Sequence, residues 1–164
     1  MRAWLLCALL LVGCASNHST SSGKPQEPAQ PRPIGIGDRA PEVPPGKVTL
    51  VVFSATWSEP SKKLDIRIEE IWRARQGKPF AVRAILIDDE PDSLDSWCKT
   101  YGFTYPFAWD RDRRLAIRYG IDTDAVVFVI DPAGIVRHIH RAHHDGDELL
   151  IASEVDALLA AKKP

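Results

Sequence analysis

The sequence predicts an α/β fold in which a mixed β-sheet is covered by helices on both faces, a three-layer sandwich. Three observations carry that expectation. From Gly37 onward the spacing of apolar residues switches repeatedly between the two-residue period of a strand and the 3.6-residue period of a helix. Val48 to Phe53, VTLVVF, is a short β-branched run of the kind found in a sheet buried on both faces. Near the end, two strand-like runs flank Asp131-Pro132-Ala133-Gly134, a turn by composition, and a helical pattern follows.

In chain order, Val48 to Phe53 (VTLVVF) is the first strand. Ser61 to Arg75 places Leu64, Ile68, Ile71 and Trp72 on one face among charges, which predicts an amphipathic helix. Phe80 to Ile87 is the second strand. Asp92 to Tyr101 is a helix opened by an Asp-Ser cap signal. Pro106 to Trp109 is a short extended piece, Arg111 to Tyr119 a short helix, and Val126 to Ile130 an apolar strand. Ile135 to His140 returns after the turn, and Asp147 to Ala161 closes as a helix with Leu149, Leu150, Val155, Leu158 and Leu159 inward. Strands separated by helices, then a hairpin and a helix, require a mixed sheet. No internal repeat is evident.

Acids and bases are interspersed and nearly equal, 22 against 21 in 164 residues, with a net charge of -1. Without a basic face there is no electrostatic footprint for nucleic acid, and none is expected as a partner.

The first fourteen residues, MRAWLLCALLLVGC, hold one arginine, an apolar run from Ala3 to Val12, and a small residue before cysteine. That run falls short of the roughly 20 apolar residues a spanning helix needs, and its layout is that of a secretory signal. Leu11-Val12-Gly13-Cys14 resembles the lipobox of bacterial lipoproteins, which implies a signal peptide over 1–13 and an acylated Cys14 as the membrane anchor. An ordinary signal cut elsewhere, with Cys14 incidental, is the alternative. Residues 14–36 are rich in serine and proline without a core-forming pattern, a flexible linker. The expected organisation is therefore signal, tether and one domain over 37–162. Its expected place is the bacterial cell envelope, anchored and facing the periplasm, and Ser16 fits an outer-membrane address.

Two stretches carry a family resemblance. VVFSATWSEPSKKL, 51–64, resembles the strand, turn and helix around the active site of thioredoxin-like proteins, above all the membrane-tethered TlpA and ResA type of thiol-disulfide oxidoreductase. YGIDTDAVVFVIDPAGIVRHI, 119–139, resembles that family's later strand and hairpin. The resemblance implies a thioredoxin-like fold over about Gly37 to Ala161. In the family the turn reads tryptophan, cysteine, two residues, cysteine. Trp57 and Pro60 match, whereas Ser58 and Ser61 stand where the cysteines belong. A hydroxyl is protonated near neutral pH and cannot form a disulfide, so neither attack nor resolution is expected. The family's cis-proline aligns with Ala125, after Asp124, where a trans bond and a reshaped groove are expected. Val52 occupies the strand position at which thioredoxins proper carry a buried acid.

Of three cysteines, Cys7 lies in the signal and Cys14 is the lipid site, leaving Cys98. Leu94, Trp97, Cys98 and Tyr101 share a helical stripe, so a core thiol is expected there. Four of the five histidines fall within 138–144. His138 and His140 share a strand face, with His143 and His144 in the loop beyond, a donor set that suits a transition metal though it has no fixed metal spelling. Ser58 and Ser61 also have a plain role as caps of the first helix.

The expectation that follows is no catalytic residue and no resident cofactor, but a binding or scaffold module for a protein partner in the envelope. Its surface is the former groove around Trp57, Glu59, Pro60, Asp124 and Ala125, with exposed Trp57 as an anchor. Two alternatives stay open: thiol-disulfide or peroxidase-like chemistry through Cys98, and metal binding by His138, His140, His143 and His144.

Overall fold

The computed structural model describes residues 32–87 and 92–161. Cys14, Ser16 and the signal lie outside them, as do the side chains of Asp92 and Ser93. Strands β1 (Val48–Ser54), β2 (Phe80–Leu86), β3 (Phe107–Trp109), β4 (Val126–Ile130) and β5 (Val136–Arg141) alternate with helices α1 (Glu59–Arg73), α2 (Asp92–Tyr101), α3 (Arg114–Tyr119) and α4 (Asp147–Ala160). The five strands form one sheet in the order β3-β2-β1-β4-β5. β2 runs parallel to both β1 and β3, whereas β4 is antiparallel to β1 and to β5.

Alternate residues of the central strands build two cores. Val48, Leu50 and Val52 of β1 join Leu64, Ile68 and Ile71 of α1 and Ile151 and Val155 of α4 on one face. Val51 and Phe53 face the other way, against Ala116 and Tyr119 of α3 and against Ala40 and Val43 of the entering loop. This is the expected three-layer arrangement, and each fully buried aliphatic or phenyl group stabilises it by about 1.5–3 kcal/mol. The β4–β5 turn is fixed by Asp131, whose carboxylate accepts from the Ala133 and Ile135 amides at 2.8 and 3.0 Å.

Three local readings change. α1 begins at Glu59 rather than Ser61, because the Ser58 side chain caps it and Pro60, in the first turn, needs no amide donor. α3 begins at Arg114 rather than Arg111: Arg113 adopts a left-handed conformation, and the Asp110 carboxylate accepts from the Leu115 and Ala116 amides. Leu149 and Leu150 point outward, 73% and 53% exposed. The inward stripe of α4 runs through Ile151, Val155, Leu158 and Leu159, and one turn earlier it falls on Asp147 and Glu148, so the two leucines lie off it.

Residues 32–36, linker-like by composition, already pack on the domain. The Arg32 guanidinium pairs with Asp38 at 2.6 Å, and the Ile34 amide donates to the Arg118 carbonyl at 3.3 Å.

Candidate functional site

β1 delivers the chain to the tip of α1. After Ser54, a turn closed by the Ser58 amide on the Ala55 carbonyl at 3.1 Å turns Trp57 outward, 73% exposed. Glu59 and Pro60 are exposed beside it, whereas Ser58 and Ser61 are buried. The Ser58 hydroxyl oxygen accepts from the Ser61 amide at 3.1 Å, one of the donors that a helix start leaves unpaired. The Ser61 oxygen accepts from the Ala55 amide at 3.1 Å. Both hydroxyls thus hold the turn and the helix together.

Asp124 arrives from the other side of the sheet. Phe53 of β1 pairs with Val126 of β4, so the residues leading into β4 lie beside the turn that leaves β1. The Ser58 hydroxyl donates to the Asp124 carboxylate, placing that negative charge at the positive end of α1. Between them, buried Ala125 has a left-handed φ of 56°, which costs a non-glycine residue about 1–2 kcal/mol. No cis peptide bond occurs among the described residues.

One turn into α1, Asp65 is completely buried. Its carboxylate accepts from Ser54 Oγ at 2.8 Å, Trp97 Nε1 at 3.1 Å and the Tyr105 hydroxyl at 3.1 Å. Burial pushes its pKa up to about 7, against three donors that pull the other way. Val52 is a core residue, so the buried acid near this tip comes from the helix instead of the strand. Sequence reading missed Asp65. Its place on the stripe of Ser61, Leu64 and Ile68 was the available signal.

Cys98 is half-buried on α2, and burial, with help from Asp95 and Asp65, raises its thiol pKa. The four histidines do not meet at one point. His138 Nδ1 and His140 Nε2 take the two oxygens of Glu154 on α4, at 3.1 and 2.7 Å, while His144 sits by Asp147 at 3.4 Å. His143 lines a cleft with Lys63, Arg67, Asp145 and Glu148. Among the described residues no three His, Cys, Asp or Glu side chains are arranged to hold a metal ion. No helix among them is long and apolar enough to cross a membrane.

A strand, a capped turn and a helix, with the strand after Ala125 beside them, form the frame against which known proteins can be compared. The family model described as AhpC/TSA matches residues 39–139, more than half of the chain. The chain belongs to the AhpC/TSA family. The chain is similar to the Bacillus subtilis thiol-disulfide oxidoreductase ResA, 25% identical over 91 residues that cover 56% of this chain and 51% of that protein. The chain thus spans about half the length of the curated relatives it matches. In structure, the AhpC/TSA domain here resembles a candidate thiol:disulfide interchange protein DsbE from Chlorobium tepidum, with TM-score 0.72 and 21% identity over 77% of this chain and 99% of that one. StoA from Bacillus subtilis matches at TM-score 0.58 and 17% identity, covering 66% and 84%. These likenesses establish the thioredoxin-like fold.

Proposed function

We propose that this protein is a bacterial lipoprotein, held in the cell envelope by acylated Cys14, whose thioredoxin-like domain has lost disulfide exchange and binds a protein partner through the surface at the α1 tip. One observation carries the reading. Ser58 and Ser61 stand at the helix start with both hydroxyls committed to hydrogen bonds, Ser58 to Asp124 and to the Ser61 amide, and Ser61 to the Ala55 amide. An oxygen so held is neither a nucleophile toward sulfur nor able to form a disulfide. What the tip still offers is recognition: an indole 73% exposed, flanked by the exposed side chains of Glu59 and Pro60. The membrane anchor draws on the Leu11 to Cys14 spelling.

The test has two arms. The full chain, assayed for insulin disulfide reduction, should give no turnover above a reagent blank, and turnover abolished by Ser58→Ala or Ser61→Ala refutes the loss of exchange. Crosslinked capture from envelope fractions should recover a protein that is lost with Trp57→Ala, and metabolic palmitate labelling should require Cys14.

A second reading has one observation in its favour. Cys98 is half-buried rather than sealed in the core, so a one-thiol reaction stays chemically open, and the family relatives named for thiol-disulfide chemistry lend it weight. Its raised thiol pKa counts against it.

A further inference from the structure

Twelve arginines belong to the described residues. Ten of them have a carboxylate, a backbone carbonyl or an aromatic ring as partner. The other two, Arg39 and Arg118, line the same cleft, a space of about 570 Å³ between the entering loop and α3. Its remaining wall is largely apolar, with Pro41, Val43 and Pro44, and its one acid, Glu42, is already engaged: Arg83 binds the Glu42 carboxylate at 3.0 Å and its carbonyl at 2.7 Å. Three guanidiniums therefore stand against one carboxylate.

The cleft is built before any ligand arrives. The Tyr119 hydroxyl donates to the Pro41 carbonyl at 2.9 Å, the Ala40 amide to Gly134 at 2.9 Å and the Gly46 amide to Pro132 at 2.8 Å, which fixes the loop to α3 and to the β4–β5 turn. Arg39 is itself packed on that turn, since a methyl group placed on Gly134 would lie 3.1 Å from Arg39 Nη1.

We infer that this cleft binds a phosphate group, with Arg39 and Arg118 as its two guanidinium clamps. A guanidinium is a planar fork that takes two oxygens of an anion. A carboxylate presents its two oxygens in one plane to one fork, whereas the free oxygens of a phosphate, two in a diester and three in a monoester, point apart tetrahedrally and can take donors from two forks at once. The apolar wall suits an organic substituent on that phosphate. Two sources present this chemistry: an anionic phospholipid headgroup, or a soluble phosphate ester. The cleft adjoins the point where residues 32–34 enter the domain along Arg118, and the lipid source rests on the reading of Cys14 as a membrane anchor. The site does not depend on what the α1 tip binds.

Arginine-selective modification by phenylglyoxal, followed residue by residue by mass spectrometry on the full chain, tests this. The chain is placed in phosphatidylcholine bilayers, in the same bilayers with glycerol 3-phosphate up to about 20 mM, well above the Kd of even a millimolar site, and in bilayers containing phosphatidylglycerol. The expected result is that Arg39 and Arg118 become protected together, about tenfold when ligand reaches about ten times its Kd, while Arg114 keeps its rate. Protection by glycerol 3-phosphate assigns the soluble source, and protection by phosphatidylglycerol alone assigns the lipid. Protection in neither condition, or equal protection of Arg114, overturns the site. In an Arg118→Ala chain the protection of Arg39 should fall, and undiminished protection would show that the two arginines share no anion.

Discussion

The hydroxyl of Ser58 donates to the carboxylate of Asp124, joining the tip of α1 to the residue pair that leads into β4. Because Ser58 also caps α1, its oxygen serves two masters, an amide within the helix and an acid from across the sheet. Ser61 has a different task, accepting the buried Ala55 amide. The two serines should therefore differ in cost. Ser58→Ala removes a cap, worth about 1 kcal/mol, together with a hydrogen bond to a carboxylate, worth about 1.5–3 kcal/mol. Ser61→Ala strands a buried donor, which costs about 1–3 kcal/mol. Urea unfolding of the two variants should rank Ser58→Ala as the more destabilised, and equal midpoints would contradict the separate roles.

The tip can also be asked to do the family's chemistry. A chain carrying Ser58→Cys and Ser61→Cys should lose two titratable thiols on mild oxidation. The introduced thiol at position 58 faces the Asp124 carboxylate, and a neighbouring negative charge disfavours the thiolate. Adding Asp124→Asn should then speed its alkylation near neutral pH, by about tenfold for each unit of pKa released. Alkylation rates unaffected by Asp124→Asn would mean that the acid does not govern this tip.

Asp65 makes stability depend on pH. Its folded pKa of about 7 lies above the ordinary 3.8, so folding favours the protonated carboxyl. The stability tied to that preference is complete below about pH 4 and is lost as the pH rises through 7. Relative to Asp65→Asn, the native chain should lose about 2–3 kcal/mol between pH 5 and pH 8. Unfolding free energies measured for both chains at the two pH values provide the check, and parallel curves would rule out the titration.

Cys98 separates the binding reading from the thiol reading. Burial, Asp95 and Asp65 all hold its pKa above the ordinary value, so little thiolate is present near neutral pH. Iodoacetamide at pH 8 should label the native chain slowly and the urea-unfolded chain fast. Rapid native labelling would favour chemistry at this thiol.

Much of the fold was legible because apolar period is a local property, and every strand and helix lies close to where that period puts it. Helix starts moved where a single side chain decides the boundary, as Ser58 does for α1 and Asp110 for α3. Leu149 and Leu150 misled because hydrophobicity alone does not set the phase of a helix, whereas the stripe through Ile151 and Val155 does. The site was legible only in part. Trp57, Ser58 and Ser61 are neighbours in sequence, and the resemblance assigned them correctly to a helix tip. The Asp124 contact depends on the register between β1 and β4. Asp65 was not legible because its donors, Ser54, Trp97 and Tyr105, come from three other segments. The pairing of Arg39 with Arg118 likewise exists only once the entering loop lies against α3.

The order of the sheet has a consequence for self-association. Its margins are β3, only three residues long, and β5, whose sequence VRHIHR carries bulky basic side chains at four of its six positions. The outer rim of β5 is capped at Val136, where Gly37 and Asp38 of the entering loop already occupy its amide and carbonyl. A stray strand meets a short ladder at β3 and basic side chains beside a blocked end at β5, so crowded copies should stay separate rather than zip into aggregates.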